Sequence, residues 1–344
     1  MSTLVIVGNG FDLYCKLNSR YVNFYDWLRK DETRKNNNLW SIHFANRPRE
    51  DLLWMGVEDL ILQAISGRKP DVEKWADDVR ACFGMMTRLT ESEEARYIMR
   101  CMGSVDDVFD AYWYLDELKT FERQFSEYLK MEVSNCTDYE YNAGKLLNKL
   151  TGKVKANIIN FNYTNPFASD VYCDINRRVC DLVGNITNVH GTYANDNILF
   201  GVDETVKDTL LLNYYILTKT YRKMMQVVSD KALLQNVRTI AFFGHSLGAA
   251  DYSYFQSIFD YYSLYDGIQQ ISRGTTQAVS SVTLRFYFYI YDVSKEVEIR
   301  RDAVDRVYKL IITYGNSLEN KDRGKNLLHK LLLEGRVQIT FWSD

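Results

Sequence analysis

The chain alternates between short, β-branched apolar runs and longer stretches whose apolar residues recur every three or four positions. The first run, Thr3-Leu4-Val5-Ile6-Val7, predicts a buried strand that ends in Gly8-Asn9-Gly10-Phe11-Asp12. Residues 21–28 have helical spacing, and residues 31–38 read as a polar connection. Residues 52–65 predict a helix that Gly67 to Pro70 stops, with Trp54 and Glu58 on one face, and residues 72–86 predict another. Ser104 then reads as the cap of a helix with an acidic first turn, Asp106 and Asp107. Val105, Val108, Tyr112, Leu115, Leu118, Phe121, Phe125 and Leu129 extend it as one apolar stripe. The opposite face carries Asp106, Asp110, Asp116, Glu117 and Glu127 and reads as solvated.

The pattern changes at Lys153. Residues 154–161, 198–201, 237–243, 282–291 and 337–342 predict strands, and 178–182 with 188–190 flank a further one. Residues 210–234, 249–262, 300–314 and 326–333 predict helices, the first with a basic surface cluster of Lys219, Arg222 and Lys223. Strands that alternate with helices imply an α/β fold, a mainly parallel sheet covered on both faces. The expected organisation is a single domain over residues 1–344. A helical insertion of about 40–150 separates the first strand from the rest.

Composition narrows the class. With 46% hydrophobic residues in 344, a substantial core is available, and 25 Tyr against 3 Pro suits an ordered, element-rich chain. The net charge of −3 gives no global field for nucleic acid or anionic membrane, which leaves only a local basic groove. The six cysteines form no C-x-x-C pair and no zinc spacing, so they read as reduced thiols of a cytoplasmic protein. No apolar run approaches the ~20 residues of a membrane helix. The first twenty residues lack the basic region of a signal peptide.

Ligands of open α/β sheets sit at the carboxyl ends of the strands. Five polar or Gly-rich strand ends therefore define the candidate site. They are Gly8 to Asp12, Asn162-Tyr163-Thr164-Asn165, His190-Gly191-Thr192, Gly201-Val202-Asp203 and Gly244-His245-Ser246-Leu247-Gly248. The first is an anion-holding turn by its backbone N–H groups, although Asp12 also suits a helix cap. As a dinucleotide fingerprint it lacks the third glycine, because residue 13 is Leu, and no acid ends a second strand about 20 positions on. The last fits the G-x-S-x-G elbow of serine hydrolases, with Ser246 as nucleophile. Only His329 follows it, inside a predicted helix, so a triad lacks its histidine. His190 ends a strand before a glycine, and with Asn162 it forms a pair able to hold a sugar or a water.

The blocks Leu4 to Leu13 with Ser19, Tyr21 and Phe24, Asn160 to Asn165, His190-Gly191, and Phe243 to Leu247 with Asp251 and Phe255 resemble the bacteriophage abortive-infection family AbiH. More distantly, the same blocks are similar to the sirtuin-like fold of NAD-consuming phage-defence enzymes. That resemblance implies catalytic roles for Asn162 and His190. It implies ligand contacts from Gly8, Asn9, Gly10, Phe11, Asp12, Thr164, Gly244 and Ser246. Thr164 stands where the sirtuin-like pattern often has an aspartate. The implied activity is binding and hydrolysis of NAD as substrate, with no further cofactor required. A non-catalytic nucleotide sensor and a serine hydrolase are the alternatives. The expected partners are a nucleotide small molecule and a phage-derived trigger. A homo-oligomer stays open, and neither membrane nor specific nucleic acid is expected.

Overall fold

The computed structural model describes residues 2–50, 56–65, 108–202, 215–226, 233, 237–248, 251–265, 268–272, 275–278 and 282–343. The chain divides into two compact units. The first comprises Met1–Asn18, Val133–Val189 and Ser229–Asp344, and the second Ser19–Glu132 and His190–Val228.

The first unit is built on β1 (Ser2–Val7), β2 (Ala156–Asn160), β3 (Val183–Asn188) and β4 (Val237–Phe243). A separate antiparallel pair, β5 (Ile268–Ser272) and β6 (Thr275–Ala278), precedes β7 (Thr283–Tyr289) and β8 (Val337–Trp342). The sheet order is β3-β2-β1-β4-β7-β8, and every neighbouring pair in it is parallel. The chain moves outward from β1 to β3, then returns to the other side of β1 at β4. This is the doubly wound arrangement, and its switch point lies between β1 and β4.

Side-chain alternation explains why β1 is apolar from Leu4 to Val7. Leu4 and Ile6 join Ile240, Phe242, Leu284 and Phe286 in one core, with Phe255, Ile311 and Leu327 from the helices Tyr252–Tyr261, Glu296–Ser317 and Lys321–Leu333. Val5 and Val7 join Ile158, Ala241 and Phe243 in the other, with Ala143, Leu146 and Leu150 from the helix Tyr139–Thr151. A strand buried on both faces needs an apolar residue at every position. The last two helices meet backbone to backbone: a Cβ built on Gly324 would lie 2.0 Å from the Gly315 carbonyl oxygen. Gly324→Ala should therefore push them apart and cost about 1–3 kcal/mol, read as a lower melting temperature of the full chain.

The second unit is helical and aromatic. Its helices include Tyr21–Arg29, Leu39–Ala45, Val57–Ile65, Lys219–Met224 and the part of Val108–Asn135 that ends at Glu132. The Phe24 ring lies 5.0 to 5.8 Å from the rings of Trp27, Phe44, Phe121, Phe125 and Tyr128. The predicted stripe is present over its described part, with Leu118, Phe121, Phe125 and Leu129 buried and Leu115 half-buried. Its acidic face is solvated at Asp116 and Glu127, whereas Glu117 accepts the Leu39 N–H at 2.7 Å, and burial raises its pKa.

Two expectations are corrected here. Lys219 and Arg222 form no surface cluster: both are buried, each beside a glutamate, Glu58 at 3.1 Å and Glu122 at 2.5 Å. Residues 198–201 form no strand either. Leu199 N–H donates to the His190 carbonyl, Phe200 N–H to Glu122, and Arg222 donates to the Phe200 carbonyl. An ion pair has taken the place of a ladder. The helix at 72–86, the Ser104 start with Asp106 and Asp107, Trp54, Asp203 and most of 210–234 lie outside the described residues.

Candidate functional site

The switch point brings two of the predicted strand ends together. Val7 pairs with Phe243, and the turns that follow touch through their backbones. Gly8 N–H donates to the Phe243 carbonyl at 3.1 Å, and Gly10 N–H to the Gly244 carbonyl at 2.8 Å. Phe11 N–H closes on the Gly8 carbonyl at 2.8 Å. Gly244 has φ +69°, and a Cβ there would lie 2.3 Å from the Phe11 nitrogen. These glycines let two turns approach where side chains would collide. The N–H groups of Gly8, Gly10 and Phe11, expected to face an anion, are engaged inside the protein, while Asn9 is exposed beside them.

Asp12 caps no helix end. It sits inside the short helix Gly10–Tyr14, 1% exposed, and its carboxyl gathers donors from three segments. The Tyr139 phenol lies 2.7 Å from Oδ1, the Thr164 hydroxyl 2.8 Å from Oδ2, and Asn162 Nδ2 3.3 Å from Oδ1. Burial and the nearby Asp12 push the Tyr139 phenol well above its ordinary pKa, so it stays a donor. Asn160 completes the scaffold from the end of β2. Its Nδ2 donates to the Thr164 carbonyl at 2.6 Å and to Asn188 Oδ1 at 2.9 Å, and its Oδ1 accepts the Asn162 N–H at 3.0 Å.

This scaffold fixes Asn162 in a definite pose. Because Nδ2 faces the Asp12 carboxyl, Oδ1 must face away from it, and the amide orientation is not a free choice. Asn162 is 3% exposed, and its Oδ1 has no hydrogen-bond partner. A buried carbonyl oxygen left without a donor costs about 1–3 kcal/mol, so Asn162 Oδ1 stands as an acceptor open to a water or a ligand donor. Asn165 Oδ1, on the same loop, is unpartnered as well.

The Gly244-to-Gly248 turn is differently occupied. His245 is buried against the rings of Phe161 and Phe255, at 4.6 and 5.0 Å. Its Nδ1 accepts the Leu247 N–H at 2.9 Å, and Nε2 lies 3.3 Å from Asp251 Oδ2. That pattern assigns the proton to Nε2 and makes His245 a brace for the turn. Ser246 is exposed, and its Oγ accepts one hydrogen bond, from Gly248 N–H at 3.4 Å. The positive φ values fall on Gly244 and Leu247, so Ser246 lacks the strained backbone of a nucleophile elbow. His329 lies in the helix Lys321–Leu333, as its spacing predicts.

His190 follows the end of β3, 4% exposed, and begins the second segment of the second unit. Its carbonyl accepts the Leu199 N–H at 2.9 Å. Gly191 is required by close approach, since φ is +74° and a Cβ would lie 1.9 Å from the Asn197 carbonyl oxygen. Thr192 N–H bonds Asn197 Oδ1 at 2.8 Å, while the buried Thr192 Oγ1 has no partner.

The profile of the family described as Bacteriophage abortive infection AbiH matches residues 4–270. The chain belongs to the AbiH family. Membership supports a role in abortive infection by bacteriophage. Neither curated proteins nor solved structures give a match. Within this AbiH chain, Tyr139 and Asn188 are site-building residues that the sequence did not single out, and Asn160, which the family blocks include, takes its place beside them. No metal-binding cluster of His, Cys, Asp or Glu occurs among the described residues. No helix among them is long and apolar enough to cross a membrane.

Proposed function

We propose that this AbiH protein is an abortive-infection effector that binds a nucleotide at the carboxyl edge of its parallel sheet and hydrolyses NAD. One observation carries the reading: the Asn162 carbonyl oxygen is buried, fixed in orientation and unpartnered, at a strand end. It is an acceptor ready for a ribose hydroxyl or the attacking water. Asp12 supports the same reading, because it brings a carboxyl to within 2.8 Å of Thr164, the position where the sirtuin-like pattern has its own. In the reaction the C1′–N bond breaks and nicotinamide leaves with the electron pair. The oxygen of water bonds C1′, and its proton is lost. Asn162 orients the hydroxyl or the water, and the sirtuin-like resemblance assigns the acceptance of a proton to His190.

The test uses purified full-length protein with NAD, mixed with lysate from phage-infected cells. Nicotinamide release is expected, and His190→Ala should reduce it by about 10²–10⁴-fold. NAD binding without release in either protein would reassign the chain as a nucleotide sensor. An absence of both binding and release, with His190→Ala still protecting cells, overturns the proposal.

A further inference from the structure

A cavity of about 500 Å³ opens in the first unit, on residues distinct from the Asn162 scaffold. Lys16, Lys145, Lys149 and Lys153 line it against one carboxylate, Asp174. None of the four lysines forms an ion pair among the described residues, in a chain whose net charge is −3. Lys145 and Lys149 lie four apart on the helix Tyr139–Thr151, a spacing that is unfavourable for like charges unless something neutralises them.

Three details separate this group from a solvated basic face. First, Lys149 is placed: its ammonium lies 3.8 Å from the centre of the Trp342 ring. Second, Lys16 and Lys153 both have left-handed backbones, with φ of 70° and 68°. Helix ends of this conformation favour Gly or Asn, so lysine stands there against the backbone preference. Third, Asn148 lines the cavity at 6% exposure. Its Nδ2 donates to Cys173 Sγ at 2.8 Å, and its Oδ1 has no partner. The cavity therefore gathers several cationic donors beside an asparagine whose buried Oδ1 has no hydrogen-bond partner.

Tyr14 and Tyr289 form an aromatic wall, their rings edge to face with centroids 4.9 Å apart. Phosphates answer the lysines, a hydroxyl or amino group answers Asn148, and a flat base answers the tyrosines. The volume falls within the range of small-molecule sites. From this combination we infer that the cavity is a second site, for a free nucleoside polyphosphate.

Titration calorimetry with ATP on the full-length Asn162→Ala protein tests this apart from the sheet-edge site. Saturable binding is expected, weakening as salt rises, and Lys145→Ala/Lys149→Ala in the same background should weaken it by at least about tenfold. These lysines are exposed, so the variant should fold, which its unchanged melting temperature would verify. Tripolyphosphate is expected to bind more weakly than ATP. Failure to saturate with ATP at millimolar concentration, or equal binding by the lysine variant, overturns the inference. So does tripolyphosphate binding as tightly as ATP, or a single-stranded oligonucleotide binding more tightly. Nicotinamide release does not enter this experiment, so failure here leaves the NAD reading standing, and failure there leaves this one.

Discussion

On the proposed activity, Asn162→Ala is expected to leave the protein folded and to reduce NAD cleavage by about 10²–10³-fold, with loss of protection against phage. The substitution removes the unpartnered Oδ1 and the 3.3 Å bond from Nδ2 to Asp12. Asp12 keeps Tyr139 and Thr164 as donors, at 2.7 and 2.8 Å, so no buried carboxyl is stranded. The Asn162 backbone keeps its bond to Asn160. The stability cost should stay near that of one weak hydrogen bond, about 1 kcal/mol. The effect on chemistry is larger because it is geometric: a hydroxyl or water that is no longer aligned with C1′ loses its near-attack position. The measurement is the NAD content of infected cells beside plaque counts, with circular dichroism as the folding control. A variant that folds, depletes NAD and protects as the parent does would remove Asn162 from the mechanism. Asn162→Asp is the less useful change, because it sets a second carboxylate against Asp12.

The sequence made the framework legible wherever the information is local. The apolar runs at β1, β2 and β4 stand where their pattern places them, because a parallel strand buried on both faces announces itself, and β7 and β8 stand where theirs places them as strands only partly buried. The strand ends were legible for the same reason. Their partners were not. Gly8 and Gly10 look like an anion cradle, yet they serve contact with Gly244, which lies more than two hundred positions away. Asp12 looks like a helix cap, yet it serves Tyr139 and Thr164, and nothing in the spacing marks Tyr139 among 25 tyrosines. Residues 198–201 carry a strand-like pattern because their side chains are buried as in a strand. Their backbone groups go to Glu122, Arg222 and His190 instead. Local pattern reports which face is buried, and the identity of the partner is set by tertiary contact.

Arg222→Ala should cost the folded state about 3–5 kcal/mol. Its guanidinium meets Glu122 through both nitrogens, at 2.5 and 2.8 Å, and the Phe200 carbonyl at 2.5 Å. Both side chains are buried, so removing the cation leaves a carboxylate and a carbonyl without water. Replacing the pair together, as Arg222→Met with Glu122→Leu, should restore much of the loss, because a buried ion pair adds little over an apolar pair of similar volume. The pH dependence separates this account from lost packing. Burial holds the Glu122 carboxyl above the usual glutamate range, against the lowering effect of Arg222 and the Phe200 N–H. In the window from the ordinary glutamate value up to the folded value, the folded state keeps a proton that the unfolded chain has lost. Stability from this group therefore falls as pH rises through that window. Without Arg222 the window extends further upward, so the deficit of Arg222→Ala should be smallest near the ordinary glutamate value and grow as pH rises above it. Urea denaturation across that range measures it, and a deficit constant with pH would assign the loss to packing alone. The same variant should also loosen the His190 turn. Leu199 N–H holds the His190 carbonyl, and Phe200, the next residue, is the one the ion pair holds. On the proposed activity, a fall in nicotinamide release by Arg222→Ala at temperatures where it remains folded is the functional counterpart of that loss.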